Sequence, residues 1–231
     1  MSAVKWLEPM ERVSGPLPNG PEWAYEVKWD GYRALGSSES LLSRRGKPLN
    51  FRSIRDALRQ LPAGTILDGE VVAPDESGRP SFSRLQNYRH GQPIPYYAFD
   101  LLSHNGKSLL KAPWTDLRQI LATTLPSNPL FHLSATFDAD PITVIKAVRE
   151  FNLEGVIAKR KTSIYEPGKR SGAWIKHRVL TGQEFVVGGF TPGEHGIDAI
   201  VIGYCEGDKL IFVARTRNGV YLRPAASCIN G

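Results

Sequence analysis

A lysine lies between two acids at alternate positions in the segment Tyr25-Glu26-Val27-Lys28-Trp29-Asp30-Gly31-Tyr32-Arg33. Side chains of an extended strand alternate between faces, so Glu26, Lys28 and Asp30 would share one face opposite an apolar one. A lysine amine held on rigid backbone can act as a covalent nucleophile toward phosphate once it has lost its proton. Arg33 adds a planar guanidinium that binds anions with two prongs. The alternative interpretation is a surface strand with a solvated Lys28–Asp30 ion pair.

Later segments carry charges in similar patterns. Asp68 and Glu70 have the same parity within Thr65 to Val72, which predicts a strand that presents two carboxylates on one face. Basic side chains cluster in a turn at residues 44–46 and in a loop at 169–172. No single string of this length identifies a function, because such strings recur by chance. Only the combination of these segments along the chain can indicate a function.

Size and composition are those of an ordinary globular protein with a basic surplus. The 231 residues carry a formal charge of +6 and a pI near 9.4, which permit a polyanionic partner. The two cysteines, Cys205 and Cys228, suggest neither a metal site nor a disulfide framework and favour a reducing cytoplasm. The sequence contains no apolar run that could span a membrane and no signal-peptide core at its start.

Hydrophobic periodicity and turn residues predict the elements that position these groups. The Lys28 strand is expected to run on through Leu35, after a draped segment at residues 1–24 without regular structure. Asp140 before a proline marks a helix start, and Asn105-Gly106 marks a tight turn. Further strands are predicted at 40–43, 65–72, 96–102, 153–160 and 174–178, and helices at 53–61, 80–87, 115–125 and 141–151.

The pattern changes after residue 184. Helical periodicity ends, and short strands separated by glycine turns are predicted at 185–190, 199–205 and 210–214. A boundary near Gly182 therefore divides the chain into a mixed domain and a small all-β unit. The predicted fold class is α+β.

Several of these segments occur in the order of the covalent nucleotidyltransferase motifs. They are Lys28-Trp29-Asp30-Gly31-Tyr32-Arg33, Ser43-Arg44, Asp68-Gly69-Glu70, Ala98-Phe99-Asp100, Glu154-Gly155-Val156 and Trp174-Ile175-Lys176. With them the sequence resembles the ATP-dependent DNA ligases. The strings EVKWDGYRA, LDGEVVAPDESGRPSF, YYAFDLL, EGVIAKR and QEFVVGGFTPG are similar to the ligase domain of bacterial ligase D, the end-joining ligase.

The resemblance extends from about Leu7 to about Asn218. It implies a nucleotidyltransferase (adenylation) domain of antiparallel sheets flanked by helices, residues 1–182, followed by a partial OB-fold, residues 183–231. It also implies three steps of nucleotidyl transfer. AMP passes from ATP to the enzyme, then to the 5′-phosphate of a nick, and leaves when the 3′-hydroxyl seals the nick. Lys28 would attack the α-phosphate and carry AMP as a phosphoramidate, and would be reactive only once metal and ATP are bound.

The resemblance assigns further roles around the base and the sugar. Glu26 would accept a hydrogen bond from the adenine amino group, and Phe99 would stack on the base. Arg33 and Arg44 match positions that contact ribose or phosphate. For Phe99 the alternative is an ordinary core aromatic, and for Arg44 a solvated turn.

The resemblance also implies a metal site and phosphate ligands. Glu70 would bind a ribose hydroxyl and Glu154 the metal, and both count as ligands of a Mg²⁺ or Mn²⁺ ion, which oxygen ligands favour. Arg170 and Lys176 match basic positions that hold the triphosphate and the α-phosphate. Arg178 replaces a lysine of the family pattern, which keeps the charge but changes its geometry.

The implied substrate is nicked duplex DNA, in DNA repair by end joining. The implied setting is a monomer with end-joining factors, in the bacterial cytoplasm at the nucleoid and away from membranes. The run Lys159-Arg160-Lys161 would be either solvated or in contact with the duplex backbone.

Two features keep other interpretations open. The β-rich tail is shorter than a five-stranded OB-fold requires, and the family's last motif, a basic R-x-D-K-like segment that orients pyrophosphate, has no counterpart. A ligase remnant that binds nucleotide or nicked DNA with partial or no activity is therefore one alternative. An RNA ligase or a capping-type guanylyltransferase is another, and the ligase D-like strings argue against it.

Overall fold

The computed structural model describes residues 6–76, 78–88, 92–179, 185–194 and 196–217. Its contacts divide the chain into two compact units, Met1–Thr181 and Gly182–Gly231. The strands described in the first unit are β1 (Val13–Ser14), β2 (Trp23–Val27), β3 (Tyr32–Ser37), β4 (Leu41–Ser43), β5 (Ile66–Val71), β6 (Tyr96–His104), β7 (Lys107–Ser108), β8 (Phe131–Leu133), β9 (Thr136–Phe137), β10 (Gly155–Arg160) and β11 (Trp174–Arg178). The helices are α1 (Arg52–Leu58), α2 (Phe82–Gln86), α3 (Trp114–Thr124) and α4 (Pro141–Glu150).

The strands of the first unit form two sheets. One has five strands in the order β1-β11-β10-β2-β9, and the other has six, with the path β4-β3-β5-β6-β7 and β8 beside β6. Pairs are antiparallel except β1–β11 and β6–β8. Helix α1 buries Ile54, Ala57 and Leu58, which belong to the same core cluster as Leu67 and Leu101 of the six-stranded sheet. This mixture of sheets and helices confirms the predicted α+β class.

The prediction of one continuous strand through Lys28 is wrong. Strand β2 ends at Val27 in the five-stranded sheet, and β3 begins at Tyr32 in the other sheet, so residues 28–31 link the two sheets. At Gly31 a Cβ would lie only 2.1 Å from the carbonyl oxygen of Val71, so a larger residue does not fit. The strand alternation therefore stops before the lysine.

Several other predictions can be compared directly with the structure. Helix α4 begins as predicted, with the Asp140 carboxylate accepting hydrogen bonds from the N–H groups of Ile142 and Thr143. The Asn105-Gly106 turn joins β6 to β7 with both residues at positive φ. The segment expected to be draped contains β1, and β8 and β9 were not predicted. These strands have only two or three residues each, too few for a detectable alternation.

The described residues of the second unit form a three-stranded antiparallel sheet of β12 (Val186–Gly193), β13 (Gly196–Glu206) and β14 (Lys209–Thr216). The three predicted strands are present and longer than predicted. The boundary near residue 182 lies outside the described residues, and the assignment of residues 1–182 and 183–231 to the two named domains stays a prediction. Within the described ranges, no helix has the length and apolar character needed to cross a membrane.

Candidate active site

Two adjoining concavities contain most of the predicted site residues. An open cleft of about 600 Å³ lies beside the link between the sheets and is lined by Lys28, Arg33, Arg44, Glu70, Glu154 and Lys176 among others. A closed pocket with only about 10 Å³ of free space is lined by Glu26 and Phe99, together with Lys159 and Trp174. Arg170 lines neither and lies on the rim of the open cleft, within ion-pairing distance of Glu11.

Lys28 is held in the open cleft by contacts at both ends. Its backbone N–H donates to the carbonyl of Gly155 at 2.9 Å, at the start of β10. Its ammonium group pairs with the carboxylate of Glu154, which also accepts a hydrogen bond from Nε of Arg178 at 3.1 Å. The partner of the lysine is therefore Glu154, not Asp30 as in the alternative interpretation. Asp30 lies nearby in the same cleft, where burial and the charge of Glu154 raise its pKa.

Glu70 projects from β5 and borders both the open cleft and the closed pocket. Burial raises the pKa of Glu70 to about 7, although the positive charges of Arg12, Arg33 and Lys28 oppose the shift. A carboxyl group with such a pKa is partly protonated near neutral pH, so it can either donate to or accept from a hydroxyl group.

Arg33 uses its two-pronged guanidinium inside the protein. Its Nε and one terminal nitrogen donate to the two carboxylate oxygens of Asp68 at 3.0 and 2.7 Å. The hydroxyl of Tyr165 donates to the same carboxylate at 2.7 Å and accepts from the N–H of Met10 at 3.0 Å. Asp68 is thus a buried anchor that fixes Arg33 at the wall of the cleft. The predicted contact of Arg33 with ribose or phosphate stays a prediction.

Lys159 organises the closed pocket. The side chain is 1% exposed, and Nζ lies 3.2 Å from Oε1 of Glu26 and 3.4 Å from Oδ2 of Asp100. It also donates to the carbonyl of Phe99 at 2.9 Å. Both predictions for this run, solvation or contact with a DNA backbone, are wrong for Lys159. Its parity with Ile157 on a buried strand is the sequence feature that could have revealed its burial.

Glu26 presents a buried acceptor that is ion-paired but not hydrogen-bonded. Oε1 of its carboxylate lies 3.2 Å from Nζ of Lys159, yet among the described residues it accepts no hydrogen bond of good geometry. A ligand with an N–H group would be stabilised there, because a buried acceptor gains from a well-oriented donor. The contact of Glu26 with the adenine amino group stays a prediction.

Phe99 fits both interpretations that the sequence allowed. It is the extra residue of a β-bulge, because Asp68 pairs with Asp100 while Gly69 pairs with Ala98. Its ring lies edge-on to Trp174 with centroids 6.3 Å apart, within a buried cluster, and it also lines the closed pocket. Its stacking on a base stays a prediction.

Glu11, an acid that no sequence motif indicated, pairs with two basic residues on the rim of the open cleft. Glu11 lies 3.1 Å from Nε of Arg44 and 3.6 Å from a terminal nitrogen of Arg170. Arg44 is therefore ion-paired as well as largely exposed. Glu11 and its neighbour Arg12 occupy a segment whose high Pro and Gly content concealed any regular spacing. Pro9 and Met10, which precede them, offer no chemical signal.

Lys176 lies among other positive charges of the open cleft, which repel its ammonium group. Burial and the charges of Arg178, Arg12 and Lys28 lower the pKa of Lys176. Repulsion among cations is relieved when an anion binds between them, so the open cleft is suited to a polyphosphate.

The acids of the open cleft fit a hard divalent cation in part. Glu70 lies on β5 and Glu154 immediately precedes β10, and both line the same cleft. No three His, Cys, Asp or Glu side chains among the described residues form a metal site. Mg²⁺ is usually held by one or two carboxylates together with substrate phosphates and water. The donor set therefore fits a metal that arrives with a nucleotide.

The first unit contains the part of the chain that matches a known protein family. A family model described as an ATP dependent DNA ligase domain matches residues 8–178. The chain is 36% identical over 211 residues to the multifunctional non-homologous end joining protein LigD of Mycolicibacterium smegmatis, which covers 86% of this chain. It is 36% identical over 221 residues to LigD of Pseudomonas aeruginosa, covering 89% of this chain. It spans 27% and 26% of the length of these relatives.

Solved structures agree with the sequence matches. The ligase domain of M. tuberculosis LigD is similar with a TM-score of 0.69 at 33% identity, covering 93% of this chain and 74% of that one. A mycobacterial DNA ligase D complexed with ATP and MES gives a TM-score of 0.69 at 32% identity, covering 93% and 73%. A Lig E DNA ligase, at 16% identity and a TM-score of 0.65 over 92% and 85%, shares the fold.

Proposed function

The chain belongs to the family of ATP-dependent DNA ligases, and from this premise we propose that it seals nicks in duplex DNA through AMP carried on Lys28. One observation carries the proposal. Lys28 lies in the open cleft beside acids and bases from distant segments, including Glu70, Glu154 and Lys176. This is the combination that a nucleoside triphosphate and its cation require.

In the first step Nζ of Lys28 attacks the α-phosphorus of ATP. A P–N bond forms as the bond from that phosphorus to the oxygen bridging to the β-phosphate breaks, and pyrophosphate leaves. The ammonium group gives one proton to water to become the attacking amine, and the nitrogen gives up a second proton to water as the P–N bond forms. Glu154 must release the lysine first, because its carboxylate is paired with the ammonium group. Lys176 and Arg178 face the charge that develops on the phosphate oxygens.

The base would bind at the closed pocket, whose free space of about 10 Å³ must widen to admit it. The unsatisfied oxygen of Glu26 accepts from the adenine amino group, whereas guanine has a carbonyl oxygen at that position and leaves the acceptor unpaired. Phe99 packs against the base. Glu70 would bind the ribose, and Glu70 and Glu154 would hold a Mg²⁺ or Mn²⁺ ion, whose charge would offset that of the phosphates.

The second and third steps act on nicked duplex DNA. AMP moves from Lys28 to the 5′-phosphate, and the 3′-hydroxyl then displaces it as the strands join. The formal charge of +6 favours a polyanionic substrate. Similarity to LigD proteins, which are named for non-homologous end joining, supports DNA repair by end joining. We extend the proposal to a monomer that works with end-joining factors at the nucleoid, in the bacterial cytoplasm.

A nick-sealing assay tests the proposal. Duplex DNA with one 5′-phosphorylated nick is incubated with protein, Mg²⁺ and ATP, and the joined strand is measured on a denaturing gel. We expect sealing by the wild type and by the control Lys146→Ala, which changes an exposed lysine of α4. Lys28→Ala should not seal, because it lacks the nucleophile.

A nick that already carries AMP separates the steps. Lys28→Ala should seal this substrate although it fails with ATP. Binding of nicked DNA without sealing of either substrate by the wild type would support a non-catalytic remnant instead. Sealing with GTP as well as with ATP would support a guanylyltransferase-like specificity, and preference for a nicked RNA strand an RNA ligase.

A further inference from the structure

Arg12 occupies the junction between the open cleft and the closed pocket. Among the described residues only Arg12, Trp29 and Glu70 line both. A nucleotide with its base in the pocket and its phosphates in the cleft must place its ribose and first phosphate at this junction. Arg12 is the only cation of the three, and it lies outside every motif that marked the site in the sequence.

The guanidinium of Arg12 has no direct partner in the described part of the chain. No hydrogen bond or ion pair joins it to a described residue, whereas Arg33, Arg44 and Arg178 each pair with a carboxylate. The charges of Glu70, Asp68 and Glu11 do act on Arg12 from farther away. An arginine without a direct partner at a cleft wall has donors available for an incoming anion.

The surroundings of Arg12 also favour an anion. Burial lowers the pKa of Arg12, and the positive charge of Arg33 adds to the effect. Arg12 in turn contributes to the lowered pKa of Lys176. A bound phosphate would relieve the desolvation of the guanidinium and the repulsion between these cations together.

We propose that Arg12 binds the α-phosphate of the nucleotide, the group that Lys28 attacks. The inference rests on the proposed function and adds a phosphate ligand to it. Glu70, which borders the same junction, would bind the ribose on one side while Arg12 binds the phosphate on the other. The guanidinium fixes two phosphate oxygens and leaves the face toward Lys28 open for attack.

Adenosine and AMP differ only in this phosphate, so their binding isolates the contribution of Arg12. Dissociation constants for both are measured by calorimetry without metal, for the wild type, Arg12→Ala, Arg12→Gln, Arg12→Lys and Arg52→Ala. Arg52 is an exposed arginine of α1 that lines neither concavity, and it serves as the matched charge control. Melting temperatures establish that each variant is folded.

We expect Arg12→Ala and Arg12→Gln to bind AMP about ten- to a hundredfold more weakly, as for the loss of a hydrogen-bonded charge, and to bind adenosine unchanged. Arg12→Lys should retain part of the AMP affinity, and Arg52→Ala all of it. In the Lys28 adenylation reaction, the two neutral variants should react more slowly at saturating ATP.

Several outcomes would overturn the assignment. If Arg12→Ala bound adenosine and AMP more weakly by the same factor, Arg12 would shape the closed pocket rather than bind phosphate. If it bound both more tightly by the same factor, the Arg12 side chain would hinder binding of the nucleoside. If Arg12→Ala bound AMP as the wild type does but bound ATP more weakly, Arg12 would contact the β- or γ-phosphate instead of the α-phosphate. A wild type that binds neither adenosine nor AMP, and forms no adduct with ATP, would contradict the proposed function itself. A wild type that forms the adduct while Arg12→Ala does so equally well would contradict only this inference.

Discussion

The closed pocket and the open cleft adjoin but hold their charges differently. In the pocket Lys159 is 1% exposed, surrounded by Glu26, Asp100 and the Phe99 carbonyl, with about 10 Å³ of free space. In the cleft of about 600 Å³ the Arg44 side chain is 61% exposed and pairs across the rim with Glu11. The charged groups of the pocket are therefore preorganised by their partners within the protein, whereas those of the cleft are open to an incoming anion.

Lys159→Met should give the largest effect on stability. It leaves Glu26 and Asp100 buried without their cation, and breaking a buried ion pair in this way destabilises a protein by about 3–5 kcal/mol. Urea denaturation monitored by fluorescence measures the free energy of unfolding. Lys161→Met removes a half-buried lysine two residues away, whose Nζ donates to the carbonyl of Pro21, and should lower the free energy of unfolding by about 1 kcal/mol. Equal effects of the two variants would show that the pocket is no more preorganised than the surface.

Glu70, which borders both regions, should make stability depend on pH. Its pKa rises from 4.5 to about 7 on folding, so the folded state keeps a proton that the unfolded state loses between these values. The stabilisation of the folded state by protonated Glu70 is therefore fully present below pH 4.5 and is lost as the pH rises through 7. The free energy of unfolding should fall across this range by about 3 kcal/mol more in the wild type than in Glu70→Gln.

The quantity to compare is the free energy of unfolding of the wild type minus that of Glu70→Gln at each pH. Burial also raises the pKa of Asp100, to about 6, and Asp100 contributes equally to both. The measurement is made by urea denaturation at a series of pH values with a chelator present. Parallel curves for the wild type and Glu70→Gln would mean that Glu70 is solvated rather than enclosed.

Phe99→Ala tests whether the pocket binds a flat ring. Loss of a stacking side chain should weaken ATP binding by about 1–3 kcal/mol. Phe99→Leu keeps an apolar side chain in the buried cluster but has no aromatic face, so it separates stacking from packing. Unchanged ATP affinity in both variants, measured by calorimetry, would leave Phe99 as an ordinary core residue.

Glu11→Gln should have the smallest effect. Its pairs with Arg44 and Arg170 are largely solvent-exposed on the arginine side, and such pairs contribute less than about 1 kcal/mol to stability. Added salt should remove what difference there is. A loss of several kcal/mol, or one that persists at high salt, would show that the rim is as tightly organised as the pocket.

Order and residue type made much of the site predictable from the sequence. Lys28, Glu70, Glu154 and Lys176 were named from their motifs and line one cleft. Their geometry was not predictable in the same way. Alternation assumes a continuous strand, and the tight passage of Gly31 past Val71 ends the strand before the lysine.

The residues that were missed depend on contacts between segments far apart in the chain. Lys159 looks like part of a basic run, and its burial is imposed by the position of β10 between β11 and β2. Arg12 lies in an irregular segment that reaches the junction because β1 pairs with β11. Neither pairing has a local sequence signal, since pairing partners are set by the whole fold.

The most direct test of the account is to locate AMP on the protein. The wild type is incubated with ATP and Mg²⁺, digested, and analysed by mass spectrometry for an acid-labile adenylyl adduct. We expect the adduct on the peptide that contains Lys28, at Lys28 itself, and none in Lys28→Ala. An adduct on another lysine, or an undiminished adduct in Lys28→Ala, would contradict it.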